Sequence, residues 1–310
     1  MSTSFQESVP GSLAALSGTL ASMVERVGAS TLAVPGRGRS AMATAVVWRS
    51  GVVVTAAHVF RRPPATIELV GAEQRRHGAS LAGIDPSTDL AVYRLADHEL
   101  QPIEAADAAC VRAGHLALLV GRSLQGDLSA SFGMIHRAGG EWRNWLGGRL
   151  DRLIRLDGGV HPGLSGGPVA DAAGAVFGIA SAALSRHYGT VVPASTVSSV
   201  IDALLANGRV PRAWLGVAAQ PVPTGGAAGA PASGLLVTAL VPQGPAAQAG
   251  VLLGDILVRV DGHSVESLHD LRSALADRVG QHVPLALIRG GQPTELSILV
   301  GRWPDAGRGC

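Results

Sequence analysis

From about Thr31 to Val192 the chain alternates short apolar runs with turn residues. AMATAVVW, then RSG, then VVVTAAHV reads as a hairpin leading into a short turn. ATIELV, LAVYRL, HLALLV, LSASFGMI, RLIRL, AVFGIA and TVVP follow. Many short strands at near-regular spacing predict a β-barrel or sandwich. The period lengthens on either side of this region. Leu13, Leu16, Leu20, Val24 and Val27 recur at helical spacing and predict an amphipathic helix after Ser12. In STVSSVIDALLANG the side chains of Val197, Val200, Ile201, Leu204 and Leu205 share one helical face. Ser195 or Thr196 would cap that helix and Gly208 would end it.

The remainder reads WLGVAAQ, GLLVTALV, DILVRVDG, a helix SLHDLRSALADRVG, HVPLALIRG and ELSILV, a small α+β module. In its helix Leu268, Leu271, Leu275 and Val279 fall on one face. Two stretches compete as the boundary. GRVPRA, residues 208–213, looks like a linker, but PVPTGGAAGAPASG, 221–234, is richer in proline and glycine.

Composition narrows the classes. The 310 residues, 47% hydrophobic and 15% charged, can build one large core or two and are not a disordered composition. Every basic side chain is arginine, the net charge is only +2 and there is no polybasic run, so nucleic acid is not an expected partner. Two cysteines, Cys110 and Cys310, make no disulfide framework, and the scattered histidines lack zinc-ligand spacing. No cofactor is expected. The N-terminus has no basic region before Arg26, so a helix is predicted there and not a signal peptide. No run is long and apolar enough for a membrane span. The expectation is a cytoplasmic chain as written, or a periplasmic one if a leader was removed.

The candidate chemistry centres on HPGLSGGP, His161 to Pro168. Such a loop is compatible with plain turn punctuation. It also suits an exposed nucleophile with backbone N–H groups aimed at one point. GLSGG matches G-x-S-x-G, but the α/β-hydrolase elbow needs a helix after the serine, and Pro168, Val169 and the β-like AVFGIAS follow instead. The order His, Asp, Ser fits better. His58 follows the strand VVVTAA, and Asp89 heads a strand in DPSTDLAVYRL, with Asp85 as a nearby turn carboxylate. Each alone suits an ordinary core histidine or turn aspartate; the three in this order suit a catalytic triad.

TAAHV, DPSTDLAV and GLSGGPV, followed by WLGV, GLLVTALVPQGPAAQAG and GDILVRVDG, resemble the HtrA/Deg family, trypsin-like serine proteases with a C-terminal PDZ domain. The resemblance spans roughly Val24 to Val300. It implies a mainly β fold, a chymotrypsin-like double β-barrel followed by a small α+β PDZ domain. The expected limits are an N-terminal helix or extension over 1–27, the protease domain over 28–206, a linker at 207–213, the PDZ domain over 212–302 and a tail at 303–310. The 221–234 stretch then becomes a loop inside the PDZ domain. His58, Asp89 and Ser165 would be catalytic, with an oxyanion hole from the N–H groups of Gly163 and Ser165. Val160, His161 and Pro162 with Ile179, Ala180 and Ser181 would wall the S1 pocket, which holds no acid and should take small or aliphatic residues. Trp214, Leu215, Gly216 and Val217 with Leu271 and Leu275 would line the PDZ groove for C-terminal peptides.

The resemblance also implies unfolded or damaged protein as substrate and a possible trimer through the N-terminal helix. A non-proteolytic chaperone or peptide-binding scaffold of the same fold is the alternative. Two departures bear on it: Leu164 stands where the family usually has asparagine, and VHPG stands for INPG. The region before the first hairpin also looks too short for the long regulatory loop of some members.

Overall fold

The computed structural model describes residues 11–36, 43–144, 147–210, 213–225, 231–275 and 278–303, with the side chains of 11 and 12 excluded. The segment before the first hairpin, 37–42, lies outside the described residues. The chain divides into two compact units, Met1–Val210 and Pro211–Cys310.

The first unit begins with α1 (Gly11–Gly28) and holds two closed six-stranded barrels. β1 (Thr31–Val34), β2 (Ala43–Arg49), β3 (Val52–Ala56), β4 (Thr66–Val70), β5 (Arg76–Asp85) and β6 (Leu90–Leu95) close in the order β1-β2-β3-β6-β5-β4. The second barrel uses β7 (Leu116–Arg122) and β8 (Leu128–Gly139). After a two-stranded pair, β9 (Trp142–Arg143) and β10 (Arg149–Leu150), come β11 (Leu153–Leu156), β12 (Pro168–Ala170), β13 (Val176–Ser181) and β14 (Thr190–Pro193). Its order is β11-β14-β13-β12-β7-β8.

Alternation along the strands divides the apolar side chains between separate cores. Leu32, Val47, Val53, Leu69, Ala91 and Tyr93 fill the first barrel. Leu119, Ile135, Ile154, Val169, Phe177 and Val191 fill the second. The opposite faces of several of the same strands, with α1 and α2 (Ala194–Asn207), form a third core containing Val46, Val54, Val92, Val120, Ile179 and Ile201.

α2 ends as the sequence predicts, on Gly208 in the left-handed conformation (φ +70°). Its start differs. The helix begins at Ala194 directly after strand residue Pro193, without a side-chain cap. Thr196 is therefore inside the helix, where its Oγ1 accepts from the Asp151 N–H at 3.1 Å.

The second unit contains the two-stranded pair β15 (Ala213–Trp214) with β22 (Gly301–Arg302) and a larger sheet. That sheet runs β16 (Val217–Pro223), β17 (Ser233–Leu240), β18 (Ile256–Val260), β20 (His282–Arg289) and β21 (Gln292–Leu299), and β19 (His263–Ser264) pairs β18. α3 (Pro245–Gln248) and α4 (Leu268–Leu275) complete it. The 221–234 stretch is a β-hairpin connection, with strand running to Pro223 and resuming at Ser233. The helix predicted to reach Val279 ends its described span at Leu275. Residues 276–277 lie outside the described residues, and a turn at Val279–Gly280 follows.

The sheet of this unit contains a charge inside its structure. Asp255, 1% exposed, accepts from Arg289 at 2.9 and 2.8 Å and from the Leu252 N–H at 2.8 Å. Burial pushes its pKa up, but the hydrogen bonds from Arg289 and Leu252 and the arginine charge outweigh that and hold it below the ordinary 3.8. A carboxylate depressed in the folded state stabilises it above the ordinary value, and the stabilisation disappears as pH falls through the folded pKa. Amide exchange in β18 and β20 of the full chain, corrected for intrinsic rates, should therefore accelerate below pH 3.8 in the wild type. An Asp255→Asn chain should lose that step.

Candidate active site

β3 delivers a short turn, Ala57–Val59, that carries His58. The β5–β6 connection carries Asp89, 3% exposed and held at φ +61°, a conformation that aspartate tolerates better than most residues. Two sets of bonds hold it there. The Asp89 carbonyl accepts from the Ala57 N–H at 2.9 Å. Asp85, buried at the end of β5, accepts from the Ser87 N–H, the Ser87 hydroxyl and the Thr88 hydroxyl at 3.1, 2.6 and 2.7 Å. Asp85 is thus the organiser of the loop that presents Asp89.

Asp89 grips His58 at two points. Its Oδ1 accepts from the His58 backbone N–H at 2.8 Å, and its Oδ2 lies 2.7 Å from Nδ1 of the ring. The same Oδ2 accepts from the Ser181 hydroxyl at 2.5 Å. With Asp89 ionised and accepting, Nδ1 carries the proton and Nε2 is left with a free lone pair.

Ser165, 8% exposed, comes from the second barrel. Its carbonyl accepts from the Thr44 N–H of β2 at 3.0 Å, and the adjacent Gly166 N–H donates to the Ala180 carbonyl at 2.8 Å. Gly166 has φ +83°, and a Cβ there would lie 2.2 Å from the Thr44 carbonyl and 2.7 Å from the Ala56 nitrogen. Only glycine lets the serine loop press against the strand end that leads to His58.

The residues before the serine form a defined turn. The Leu164 N–H donates to the His161 carbonyl at 3.1 Å around Pro162 and Gly163, and Gly163 has φ +88°. Proline second and positive φ third are the marks of a type II turn. Positive φ is therefore the requirement that glycine meets at 163. Among the described residues neither the Gly163 nor the Ser165 N–H has a hydrogen-bond acceptor. Leu164 is 5% exposed and packs in the core of the second barrel with Leu119, Phe177 and Val191. It anchors the turn through apolar contact.

The residues expected to wall one pocket divide. Val160 and Ala180 share the second-barrel cluster with Val191, and Gly189 approaches Val160 closely enough that a Cβ would lie 3.1 Å from its Cγ2. Ile179 belongs to the core between the barrels, and Ser181 turns its hydroxyl to Asp89. Neighbouring strand residues point to opposite faces, so the side chains of 179, 180 and 181 do not share one face. His161 and Pro162 are exposed at the turn. Sequence reasoning missed Thr44 and gave Ser181 to the pocket wall without its bond to Asp89.

In the second unit, Leu215, Leu271 and Leu275 are 3%, 6% and 4% exposed and pack as core. They are not a free lining, because each is already covered by the sheet and its helices. Trp214 meets Trp303 edge-on with ring centres 6.3 Å apart. Gly216 (φ +77°) accepts from the Val241 N–H at 2.8 Å, and Val217 opens β16, a strand at the end of its sheet.

Residues 43–179 match the family model of the trypsin-like peptidase domain, and 236–289 match that of the PDZ domain. The solved structure titled "HtrA-type protease AlgW with decapeptide" superposes with a TM-score of 0.73 at 26% identity, covering 92% of this chain and 99% of that one. The chain carries a trypsin-like peptidase domain and a PDZ domain and is similar to HtrA-type proteases. A relative in Brucella suis biovar 1 (strain 1330), "Probable periplasmic serine endoprotease DegP-like", is 32% identical over 271 residues, 84% of this chain and 52% of its own length. "Protease Do-like 1, chloroplastic" of Arabidopsis thaliana is 30% identical, covering 84% of this chain and 63% of the plant protein. The chain spans about half the length of the Brucella relative. Among the described residues no helix is long and apolar enough to cross a membrane.

Proposed function

We propose that this chain is a serine endopeptidase of the HtrA/Deg type acting on unfolded or damaged proteins. The observation that carries the proposal is the line Ser181–Asp89–His58, which fixes the imidazole tautomer on a turn whose strand end packs against the Ser165 loop, where among the described residues the Gly163 and Ser165 N–H groups have no acceptor. Ser165 Oγ attacks a peptide carbonyl while Nε2 of His58 takes its proton. Asp89 stabilises the imidazolium so formed. The Gly163 and Ser165 N–H groups receive the oxyanion, the carbon–nitrogen bond breaks as His58 protonates the leaving amine, and water reverses the sequence.

The pocket for the residue before the cut is the apolar side near Val160, Ala180, Gly189 and Val191. It contains no acid to receive a cation. In the second unit an extended C-terminus adds beside β16, with the Leu215–Val217 segment at its carboxylate end. The first turns of α1, with Leu13 56% and Leu16 45% exposed, suit self-association, for which the family resemblance suggests a trimer. The periplasmic site named for the Brucella relative is the proposed compartment and rests on that likeness alone.

The test is degradation of an unfolded model protein, with and without peptides that end in an apolar residue, and sequencing of the fragments. Cuts after small or aliphatic residues, quickened by the peptides, are the expected result. Cuts after arginine or lysine would overturn the pocket assignment. Suppressed aggregation without any cut would favour the chaperone or scaffold reading.

A further inference from the structure

Thr44 reaches across from the first barrel to the turn of the second. It lies in β2 and is 0% exposed. Its N–H donates to the Ser165 carbonyl at 3.0 Å and its hydroxyl to the Gly163 carbonyl at 2.8 Å. Its own carbonyl accepts from the Thr55 hydroxyl at 2.7 Å, and Oγ1 accepts a long contact, 3.4 Å, from the Arg122 N–H. A carbonyl can only accept, so the single hydroxyl proton is committed to Gly163. Glycine at 121 makes room for this, since a Cβ there would lie 2.8 Å from Thr44 Oγ1 and 2.4 Å from Leu164 Cδ2.

We propose that the Thr44 hydroxyl is a positioning residue that holds the Gly163 carbonyl and thereby keeps the Gly163 N–H facing the oxyanion position. The proposal rests on Ser165 being the nucleophile. Four peptide units run from Pro162 to Gly166, and three are tied, the Leu164–Ser165 unit through its carbonyl, which accepts from the Gly167 N–H at 3.0 Å. The Gly163–Leu164 peptide is held at both ends, its carbonyl on Thr44 and its N–H on His161. The peptide after Ser165 is held by the Thr44 N–H. Among the described residues the Pro162–Gly163 peptide carries no hydrogen bond. Turning it over would convert type II to type I, replacing the Gly163 N–H by the Pro162 carbonyl and driving Gly163 to negative φ. Both turn types keep ψ at about 0° at the third residue, so the flip itself leaves the Gly163 carbonyl in place. What the threonine hydroxyl holds is the Gly163–Leu164 plane, and without it Gly163 is free to change ψ and carry its N–H off the oxyanion position. Any residue at 44 can supply the main-chain bond to Ser165, whereas the bond to Gly163 needs a hydroxyl in a β-strand rotamer.

The hydroxyl can therefore be tested separately from the main chain. Thr44→Val keeps the shape and removes the donor; Thr44→Ser restores it. In the full chain, Thr44→Val should lower kcat by roughly tenfold to a hundredfold, less than the loss of an oxyanion donor outright, with KM within about twofold. Thr44→Ser should recover most of the rate. Thr44→Ala gives the same reading if the valine chain does not fold. Unchanged kcat in Thr44→Val, or a serine variant as slow as the valine one, would overturn the proposal. The second readout is independent of turnover: φ and ψ of Gly163 in a crystal structure of Thr44→Val. If the wild type has no Ser165-dependent turnover, the nucleophile assignment fails by itself. Thr44 is then judged on those angles: an unchanged Gly163 overturns the proposal, and a displaced Gly163 N–H supports it.

Discussion

Replacing Ser165 by alanine should cut peptide hydrolysis by about 10⁶-fold, the scale of nucleophile removal in serine proteases. The change removes one oxygen from a side chain that is 8% exposed and whose backbone is held by Thr44 and by the Gly166–Ala180 bond, so the turn itself survives. What remains is an apparatus that can bind and polarise a carbonyl but has nothing to attack it. Peptide-stimulated binding of an unfolded chain should persist in Ser165→Ala while fragments disappear. Quantified fragment release is the measurement, and a loss below about a hundredfold would place the nucleophile elsewhere.

Asp89→Asn should cost about 10⁴-fold in kcat with little change in folding, for a reason visible in the hydrogen bonds. Oδ1 faces the His58 backbone N–H, a donor that cannot change its role. Oδ2 faces His58 Nδ1 and the Ser181 hydroxyl, and both of these can. An asparagine therefore keeps its oxygen at the Oδ1 position and turns its NH₂ to the other two. The hydroxyl rotates to accept, and the ring shifts its proton to Nε2. His58 then meets Ser165 with a proton where it needs a lone pair. Steady-state kinetics beside a thermal melt separate this from unfolding, and a drop of less than tenfold would remove Asp89 from the role.

The triad is legible in the sequence through the order of three residues that are each ordinary alone. His58, Asp89 and Ser165 could be ordered as a triad from their surroundings, and the alternation of short apolar runs announced a β-rich first unit. Thr44 and Ser181 carry no local signal, because a hydroxyl in a strand acquires a role only through what the register places opposite it. The same register separates Ile179 from Ala180, one facing the space between barrels and the other the barrel interior. Composition offered 221–234 as a domain boundary, yet strand pairing runs to Pro223 and resumes at Ser233 within the second unit. Leu164 reads as a departure when compared with a polar residue, and as a conventional core side chain once its neighbours are known.

That burial gives the residue beside the nucleophile a second consequence. Leu164 makes the shape of the turn depend on the tightness of the second barrel, with no mobile polar contact in between. Heat, denaturant or a distant core substitution that slackens Leu119, Phe177 or Val191 reaches the turn as a loss of aim before any strand separates. Turnover would then act as a gauge of local rigidity, falling early on a melting curve whose spectroscopic signal is still flat.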